Sequence, residues 1–212
     1  MKKFFLLLTL LWGALSAWAH DAEVDGIFYD LNKADKTATV TYKGDSYDAY
    51  DSEYAGDVVI PKAVTYNGIT YSVTSLGDFC FEDCEGLTSI TIPNSITSLG
   101  DFCFLYCLSL TSITIPNSVT SLGKGCFYGC SSLTSITIPN SVMSLGSTCF
   151  EDCSSLTSIY MLPSTPPSTG WDIFDDTPLE TVYVVSENAK KAYQAQWSGN
   201  EYKIVVKPTG IK

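Results

Sequence analysis

The chain has 212 residues and is acidic, since 23 aspartates and glutamates against 12 lysines and no arginine give a formal net charge of −11. Binding to nucleic acid or to an anionic membrane surface needs clustered basic residues, so this composition argues against both as partners. The single histidine, His20, lies near the N-terminus. Nucleophilic Ser/His and Cys/His systems and most transition-metal sites need a positioned imidazole. We therefore predict no catalytic site, no metal and no other cofactor.

The first 19 residues have the pattern of a secretory signal peptide. Two lysines precede an apolar run over residues 4–15, and Ala17 and Ala19 form a small-x-small cleavage site. The apolar run is shorter than a bilayer-spanning helix needs. We expect cleavage after Ala19, no membrane insertion after cleavage, and an extracellular or cell-surface location. The periplasm and a retained anchor helix are the alternatives.

Residues 20–74 predict a β-rich segment that leads into the repeats. Residues 26–43 alternate as two strands around a polar turn, and Asn67-Gly68 is a strong signal for a two-residue hairpin. The end of a repeat array exposes an apolar face that must be covered. We therefore interpret residues 20–74 as an N-terminal β cap.

Residues 75–166 repeat one 23-residue unit four times. The copies are SLGDFCFEDCEGLTSITIPNSIT, SLGDFCFLYCLSLTSITIPNSVT, SLGKGCFYGCSSLTSITIPNSVM and SLGSTCFEDCSSLTSIYMLPSTP. Self-similarity at such a period is typical of a solenoid, in which each unit buries its apolar face only by stacking on its neighbours. The sequence predicts a short β-solenoid of about four coils.

Each unit divides into recognisable elements. The run L-T-S-I-T-I alternates apolar and polar residues with a period of two, which predicts a strand. The proline that follows ends the strand and Asn-Ser begins a turn. A second short extended piece, S-L-G, comes next. The C-F-x-x-C stretch is predicted to form a short helical turn back to the next strand.

Eight cysteines occur as four C-F-x-x-C pairs, one pair in each copy. We interpret them as two columns of small buried side chains, because free cysteine is among the most buried residue types. A disulfide framework between adjacent coils, such as Cys84 to Cys107, is a second interpretation. A zinc or iron–sulfur site is a third, although the spacing differs from C-x-x-C metal motifs. The cysteines are Cys80, Cys84, Cys103, Cys107, Cys126, Cys130, Cys149 and Cys153.

Residues 167–212 predict a C-terminal cap. A strand is expected near Thr181 to Val185, and Ser186 is a suitable N-cap for a helix over residues 187–196. Trp197 and a strand over residues 202–206 would then cover the last coil.

The pattern C-F-x-x-C-x-x-L-T-S-I-T-I-P-N-S-V-x-S-L-G resembles the BspA-like leucine-rich repeat family of bacterial surface proteins, best represented in the Bacteroidetes. The resemblance extends over the chain after residue 19. It implies a leucine-rich-repeat-type solenoid that acts as a non-catalytic, adhesin-like module. Implied partners are host matrix proteins such as fibronectin and fibrinogen, or other cells. A structural or polysaccharide-binding role in the cell envelope is the alternative. The family usually has alanine at the first cysteine of each pair.

Positions that differ between copies indicate where a partner binds. Leu105, Tyr106 and Leu108 of the second copy replace acidic residues of the first copy. Together with Phe79 and Phe102 they predict an exposed apolar patch with acidic flanks, which is the pattern of an interaction site. Scattered surface apolar residues are the alternative.

Outward hydroxyls on the strands offer a second candidate surface. One expected row contains Thr91, Thr114, Thr137 and Tyr160. Threonine suits exposed strands without any function, but a regular lattice of hydroxyls is also able to bind a sugar, a protein strand or ice. An enzyme would need carboxylates such as Glu82 and Asp83 paired in a cleft, and we do not expect one.

Overall fold

The structure is a computed structural model that describes residues 20–43, 53–197 and 202–207. The expected signal peptide, residues 1–19, lies outside the described residues. The first strands are β1 (Ala22–Val24), β2 (Ile27–Asn32), β3 (Thr37–Thr41), β4 (Gly56–Val59), β5 (Ala63–Tyr66), β6 (Ile69–Leu76), β7 (Leu87–Thr91) and β8 (Ser98–Leu99). They are followed by β9 (Ser121–Leu122), β10 (Ser135–Ile138), β11 (Ser144–Leu145), β12 (Ser158–Met161), β13 (Ser168–Thr169), β14 (Thr181–Val184), α1 (Glu187–Gln196) and β15 (Lys203–Val206).

The N-terminal strands form antiparallel hairpins, as expected. Strand β2 pairs with both β1 and β3, and β5 pairs with β6 around Asn67-Gly68. Both turn residues have a positive φ, 49° at Asn67 and 77° at Gly68, which a tight hairpin turn with φ > 0 at both central positions requires. The far end of β6 then pairs in parallel with β8, where Ser75 lies opposite Ser98.

Each coil contributes to three hydrogen-bonded columns. The first, the Ser-Leu column, contains β3, β6, β8, β9, β11 and β13 in parallel. The second, the turn column, contains residues 78–85 and the matching segments of later coils. The third, the Thr-Ile column, contains β10, β12, β14 and β15 in parallel, with β4 and β7 paired at its other end. Thr114 joins it by a single bridge to Thr137.

The turn column is not helical, so the prediction that each C-F-x-x-C stretch forms a short helical turn was wrong. Phe79 and Asp83 have left-handed backbones, with φ values of 57° and 50°, and right-handed helix cannot continue through such residues. Instead, the N–H groups of Phe79, Phe81 and Asp83 each donate to a carbonyl of the next coil, at 2.9 Å. The segment therefore bonds along the stack as a strand does, while short turns bend it within the coil.

The glycine of S-L-G marks the closest approach between coils. A Cβ built on Gly100 would lie 2.5 Å from the carbonyl carbon of Gly77, and one built on Gly123 would overlap the backbone of Gly100. Such distances are shorter than any non-bonded carbon–carbon contact, so a residue larger than glycine would force the two coils apart at these positions. The repeated glycine thus reports backbone stacking.

The core is a stack of identical side chains. Phenylalanine rings of successive coils lie parallel with centroids 5.1 to 5.5 Å apart, in the order Phe81, Phe104, Phe127 and Phe150. All four are fully buried. The eight cysteines are buried free thiols beside these rings, which confirms their interpretation as small core residues. Stacked rings contribute about 0.5–1.5 kcal/mol each beyond simple area burial.

The solenoid is longer than the four coils expected. Residues 168–184 make a further coil, because β13 pairs with β11, and β14 pairs with β12. Helix α1 has the expected bounds, and the Ser186 hydroxyl accepts a hydrogen bond from the Ala189 N–H at 3.1 Å. Trp197 is buried against the ring of Tyr193, 5.0 Å away. Within the described ranges, no helix has the length and apolar character to cross a membrane.

Candidate interaction surfaces

The charge of the solenoid lies almost entirely on one side. Residues 75–184 carry eleven carboxylates and one lysine, and all except Glu180 belong to the segments that form the turn column. We call the outward side of this column the turn face. Its charged residues are Asp78, Glu82, Asp83, Glu85, Asp101, Lys124, Glu151, Asp152, Asp172, Asp175 and Asp176. Within residues 75–184, the strands of the other two columns carry no charged side chain and expose mainly hydroxyls.

An apolar group occupies the middle of the turn face. The rings of Phe79 and Phe102 stack with centroids 5.2 Å apart. Leu105 and Leu108 are half-buried, and Tyr106 is 41% exposed. These five residues, the aromatic patch, are the first candidate set from the sequence, and the structure brings them onto one face.

The side chains of the patch lie along the surface. The Phe102 ring covers Gly125 of the third coil, and the Tyr106 ring covers Gly129. The rings of Tyr106 and Tyr128 also meet edge to face, with centroids 5.6 Å apart. Because glycine leaves space beneath each ring, the patch is a packed layer one side chain deep, and the rings lose little further freedom when a partner binds.

Carboxylates border the patch at both ends of the stack. Glu82 and Asp83 lie on the first coil, at one end of the patch. Glu151 and Asp152 lie on the fourth coil, beyond its other end. Partial burial and then the neighbouring carboxylates raise the pKa of Glu151. These consecutive pairs are the carboxylates that an enzyme would have to pair in a cleft, and they lie instead on the turn face.

The phenol of Tyr128 connects the patch to the second border. Its hydrogen bond to Asp152, together with burial, raises the pKa of Tyr128. On the other side, the Lys124 ammonium lies 5.3 Å from the centroid of the Phe102 ring. Sequence comparison did not single out Lys124 or Tyr128. Both stand in the third copy, K-G-C-F-Y-G-C. The two glycines of this copy were the available signal, because they leave space for the rings of the second copy.

The second candidate row lies on the Thr-Ile column. Thr91, Thr114 and Thr137 are exposed, and Tyr160 is half-buried. The Tyr160 ring stacks on Tyr183 with centroids 4.7 Å apart, and the Lys207 ammonium lies 5.0 Å from its centroid. The row thus presents three hydroxyls and then a pair of rings.

The thiols of the second cysteine column act as hydrogen-bond donors. Cys107, Cys130 and Cys153 donate to phenylalanine carbonyls of the preceding coil at 3.0 to 3.2 Å. Burial is the main cause that raises the pKa of all eight thiols. Among the residues that the structure describes, no group of three or more His, Cys, Asp or Glu side chains is arranged to hold a metal ion.

A protein-family model described as the BspA type leucine rich repeat region matches residues 63–200 in six copies. The chain belongs to the BspA-type leucine-rich repeat family. Six copies exceed the four counted from the sequence, in agreement with the longer stack. The class of function that membership in this repeat family supports is protein interaction.

Solved structures of other bacterial leucine-rich repeat proteins agree with the fold. A leucine-rich repeat protein from Bacteroides capillosus is 31% identical, with coverage of 66% of this chain and 96% of that chain and a TM-score of 0.56. The leucine-rich repeat protein of T. pallidum is 19% identical over 87% of this chain and 81% of that chain, with a TM-score of 0.64.

A third similar structure is a leucine rich cell surface protein from Faecalibacterium prausnitzii. It is 22% identical, with coverage of 87% of this chain and 50% of that chain and a TM-score of 0.54. At this identity the likeness concerns the fold. Among curated proteins, none matches the chain.

Proposed function

We propose that this protein is an exported, non-catalytic interaction module that binds a protein partner through the aromatic patch of the turn face. The observation that carries the proposal is the position of the patch. Phe102, Tyr106 and their neighbours form a partly exposed apolar layer within the one strongly charged face of the solenoid. An apolar centre with a polar rim is the usual anatomy of a protein interface.

A stiff scaffold favours binding by such a layer. The patch is anchored on coils whose backbones hydrogen-bond at every second residue of the turn column. Preorganised side chains lose less conformational entropy on binding than mobile ones. Aromatic residues also carry a large share of the binding energy at interfaces. By family resemblance, the partner is a host matrix protein or a protein on another cell, and the protein acts at the cell surface.

The triple variant Leu105→Glu, Tyr106→Asp and Leu108→Glu tests the proposal. It copies the first coil, where Glu82, Asp83 and Glu85 occupy the equivalent positions. Asp83 has a left-handed backbone like Tyr106, with φ values of 50° and 55°, so the variant is expected to fold. Binding to immobilised fibronectin and fibrinogen is measured by surface plasmon resonance, and the triple variant should lose at least about tenfold in affinity.

A matched control places the same charges on the other candidate surface. The variant Thr91→Glu, Thr114→Asp and Thr137→Glu adds three carboxylates to the Thr-Ile column and should bind matrix protein as the parent does. Equal binding by the parent and the patch variant would contradict the proposed site. Failure of the parent to bind either matrix protein would contradict the proposed partner class.

A polysaccharide of the cell envelope is a second candidate ligand. It is favoured by the uncharged hydroxyl row at Thr91, Thr114 and Thr137, which ends at the ring pair of Tyr160 and Tyr183. Retention of the protein on immobilised envelope glycans, lost in the threonine variant and kept in the patch variant, would support this function in place of the first.

A further inference from the structure

Hydrogen bonds of the turn column run in one direction along the stack. In the fourth coil the N–H groups of Thr148, Phe150 and Asp152 donate to carbonyls of the fifth coil at 2.9 to 3.1 Å. The same three positions donate in each earlier coil. Each of the first four coils therefore donates to its successor through this column.

The equivalent donors of the fifth coil have no hydrogen-bond partner among the residues that the structure describes. These N–H groups belong to Asp172, Phe174 and Asp176, and none of them donates a hydrogen bond within the part of the chain that the structure describes. They stand two residues apart, as do the outward N–H groups at the edge of a β-sheet. An open sheet edge is a template for pairing with another chain.

A cleft of about 930 Å³ adjoins this edge. Its volume is in the range of pockets that hold ligands or several side chains. The half-buried ring of Phe174 lies in the cleft and ends the core stack of phenylalanines, and the rings of Trp197 and Tyr202 meet it edge to face with centroids 5.8 and 5.7 Å away. The charged residues that line the cleft are four carboxylates, Asp172, Asp175, Asp176 and Glu180, and one lysine, Lys203, so its net charge is negative.

We propose that this open end of the turn column binds an extended, basic segment of a protein partner as one additional rung. Carbonyl groups at every second residue of the segment accept hydrogen bonds from Asp172, Phe174 and Asp176. An apolar side chain of the segment lies against Phe174, and lysine or arginine side chains face the carboxylates. Strand addition of this kind takes affinity from main-chain bonds and specificity from side-chain pockets.

Charge and packing select a basic partner over a second copy of this chain. The opposite end of the stack is already covered, because the Tyr54 ring packs on Phe81 with centroids 4.8 Å apart. That end also carries Glu82 and Asp83, which would meet the carboxylates of the fifth coil. Like charges placed together across an interface are unfavourable.

Amide hydrogen exchange measured by NMR on the mature chain tests the proposal. The probes are two synthetic peptides, Lys-Val-Lys-Leu-Lys-Val and its counterpart with glutamate in place of lysine. The basic peptide should slow exchange at Asp172, Phe174 and Asp176 by about tenfold at saturation. The acidic peptide should leave these amides unchanged. Thr148 and Phe150, already bonded, serve as internal controls.

A repeat-matched pair of variants separates this site from general attraction to an acidic protein. Asp175→Asn with Asp176→Asn should weaken binding of the basic peptide by about tenfold. Glu82→Gln with Asp83→Asn removes the same charge at the equivalent positions of the first coil and should not weaken it. Asparagine tolerates the left-handed backbone at both sites.

The proposal does not depend on the aromatic patch. In the patch variant Leu105→Glu, Tyr106→Asp, Leu108→Glu, the basic peptide should therefore slow exchange at the three amides as much as it does in the parent. Two results would overturn it. One is slow exchange at Asp172, Phe174 and Asp176 in the free protein, because the edge would then be paired already. The other is binding of the basic peptide without any change at these amides.

Discussion

The ring of Phe102 lies over Gly125, one coil further along the stack. Gly125 has a positive φ of 55°. The lack of a side chain at this position therefore both permits the left-handed backbone and leaves room for the ring. The same relation joins Tyr106 to Gly129. Replacement of Gly125 by alanine should therefore destabilise the protein through two separable effects, a left-handed alanine and a displaced ring.

A double-mutant cycle separates these effects. Gly125→Ala alone should lower the free energy of unfolding by about 2–3 kcal/mol, of which about 1–2 kcal/mol is the cost of a left-handed alanine. In a Phe102→Ala background only the backbone cost remains, so the loss should shrink. Urea denaturation of the four proteins measures the coupling. Equal losses in both backgrounds would show that the ring does not occupy the space above Gly125.

Phe104 and Phe102 are close in sequence and lie on opposite sides of the turn column. Phe104 is fully buried between Phe81 and Phe127, whereas Phe102 is half-buried on the turn face. Phe104→Ala should cost about 3–5 kcal/mol, because it removes a stacked core ring and leaves a cavity. Phe102→Ala should cost about 1 kcal/mol or less. Thermal and urea unfolding compare them, and similar losses would contradict this division between core and surface.

Two buried tyrosines of the N-terminal cap should respond oppositely to loss of the hydroxyl. The Tyr54 hydroxyl accepts from the Phe28 N–H at 3.1 Å and donates to the Thr41 carbonyl at 2.9 Å. The Tyr29 hydroxyl is buried and has no hydrogen-bond partner among the described residues. Tyr54→Phe should cost about 1–3 kcal/mol, because it leaves those groups unpaired. Tyr29→Phe should leave stability unchanged or raise it by about 1 kcal/mol.

Urea midpoints of the two phenylalanine variants, compared with that of the parent, measure this difference. A loss at position 29 as large as that at position 54 would mean that the Tyr29 hydroxyl has a partner in solution, such as a bound water.

The thiol columns make stability sensitive to alkali. Burial raises the pKa of all eight thiols in the folded protein, to about 12 for Cys84 and Cys153. An exposed thiol in the unfolded chain ionises near pH 8.5. Stability should therefore be full below about pH 8.5 and fall as the pH rises toward 12, because only the unfolded state releases these protons.

Urea unfolding between pH 7 and 10.5 measures this decline. Each thiol that stays protonated contributes up to about 1.4 kcal/mol per pH unit. A variant with alanine at Cys80, Cys103, Cys126 and Cys149 should show a shallower decline, and an identical slope would mean that these thiols are not the cause. In the native protein at pH 8, all eight thiols should be unreactive toward a disulfide reagent.

The repeat period and the buried positions could be predicted because stacked coils require identical residues at each core site. Asn67-Gly68 and Ser186 were likewise sufficient to predict a hairpin and a helix start, since their chemistry is local. The turn column was predicted wrongly because left-handed Phe79 and Phe102 are unusual residues for that backbone. The third copy held the signal, since glycine stands at both left-handed positions of its turn segment: Gly125 aligns with Phe102, and Gly129 aligns with Tyr106.

The fifth coil was assigned to the C-terminal cap because its core residues differ. Ile173 and Thr177 replace the two cysteines, and Ser168 follows Ser144 by one residue more than the usual period. The open donors at its edge could not be predicted at all. They depend on which backbone group points along the stack, which side-chain patterns do not encode.

The one-way hydrogen bonds of the turn column also align its peptide dipoles. As in a helix, aligned peptides leave partial positive charge where N–H groups end the series and partial negative charge where carbonyls begin it. The positive end is the fifth coil, so Asp172 and Asp176 lie beside groups that partly neutralise them, while Glu82 and Asp83 lie at the carbonyl end. The turn column is therefore electrically polar along the axis of the solenoid, and the carboxylates of Asp172 and Asp176 offset the partial positive charge at its fifth-coil end.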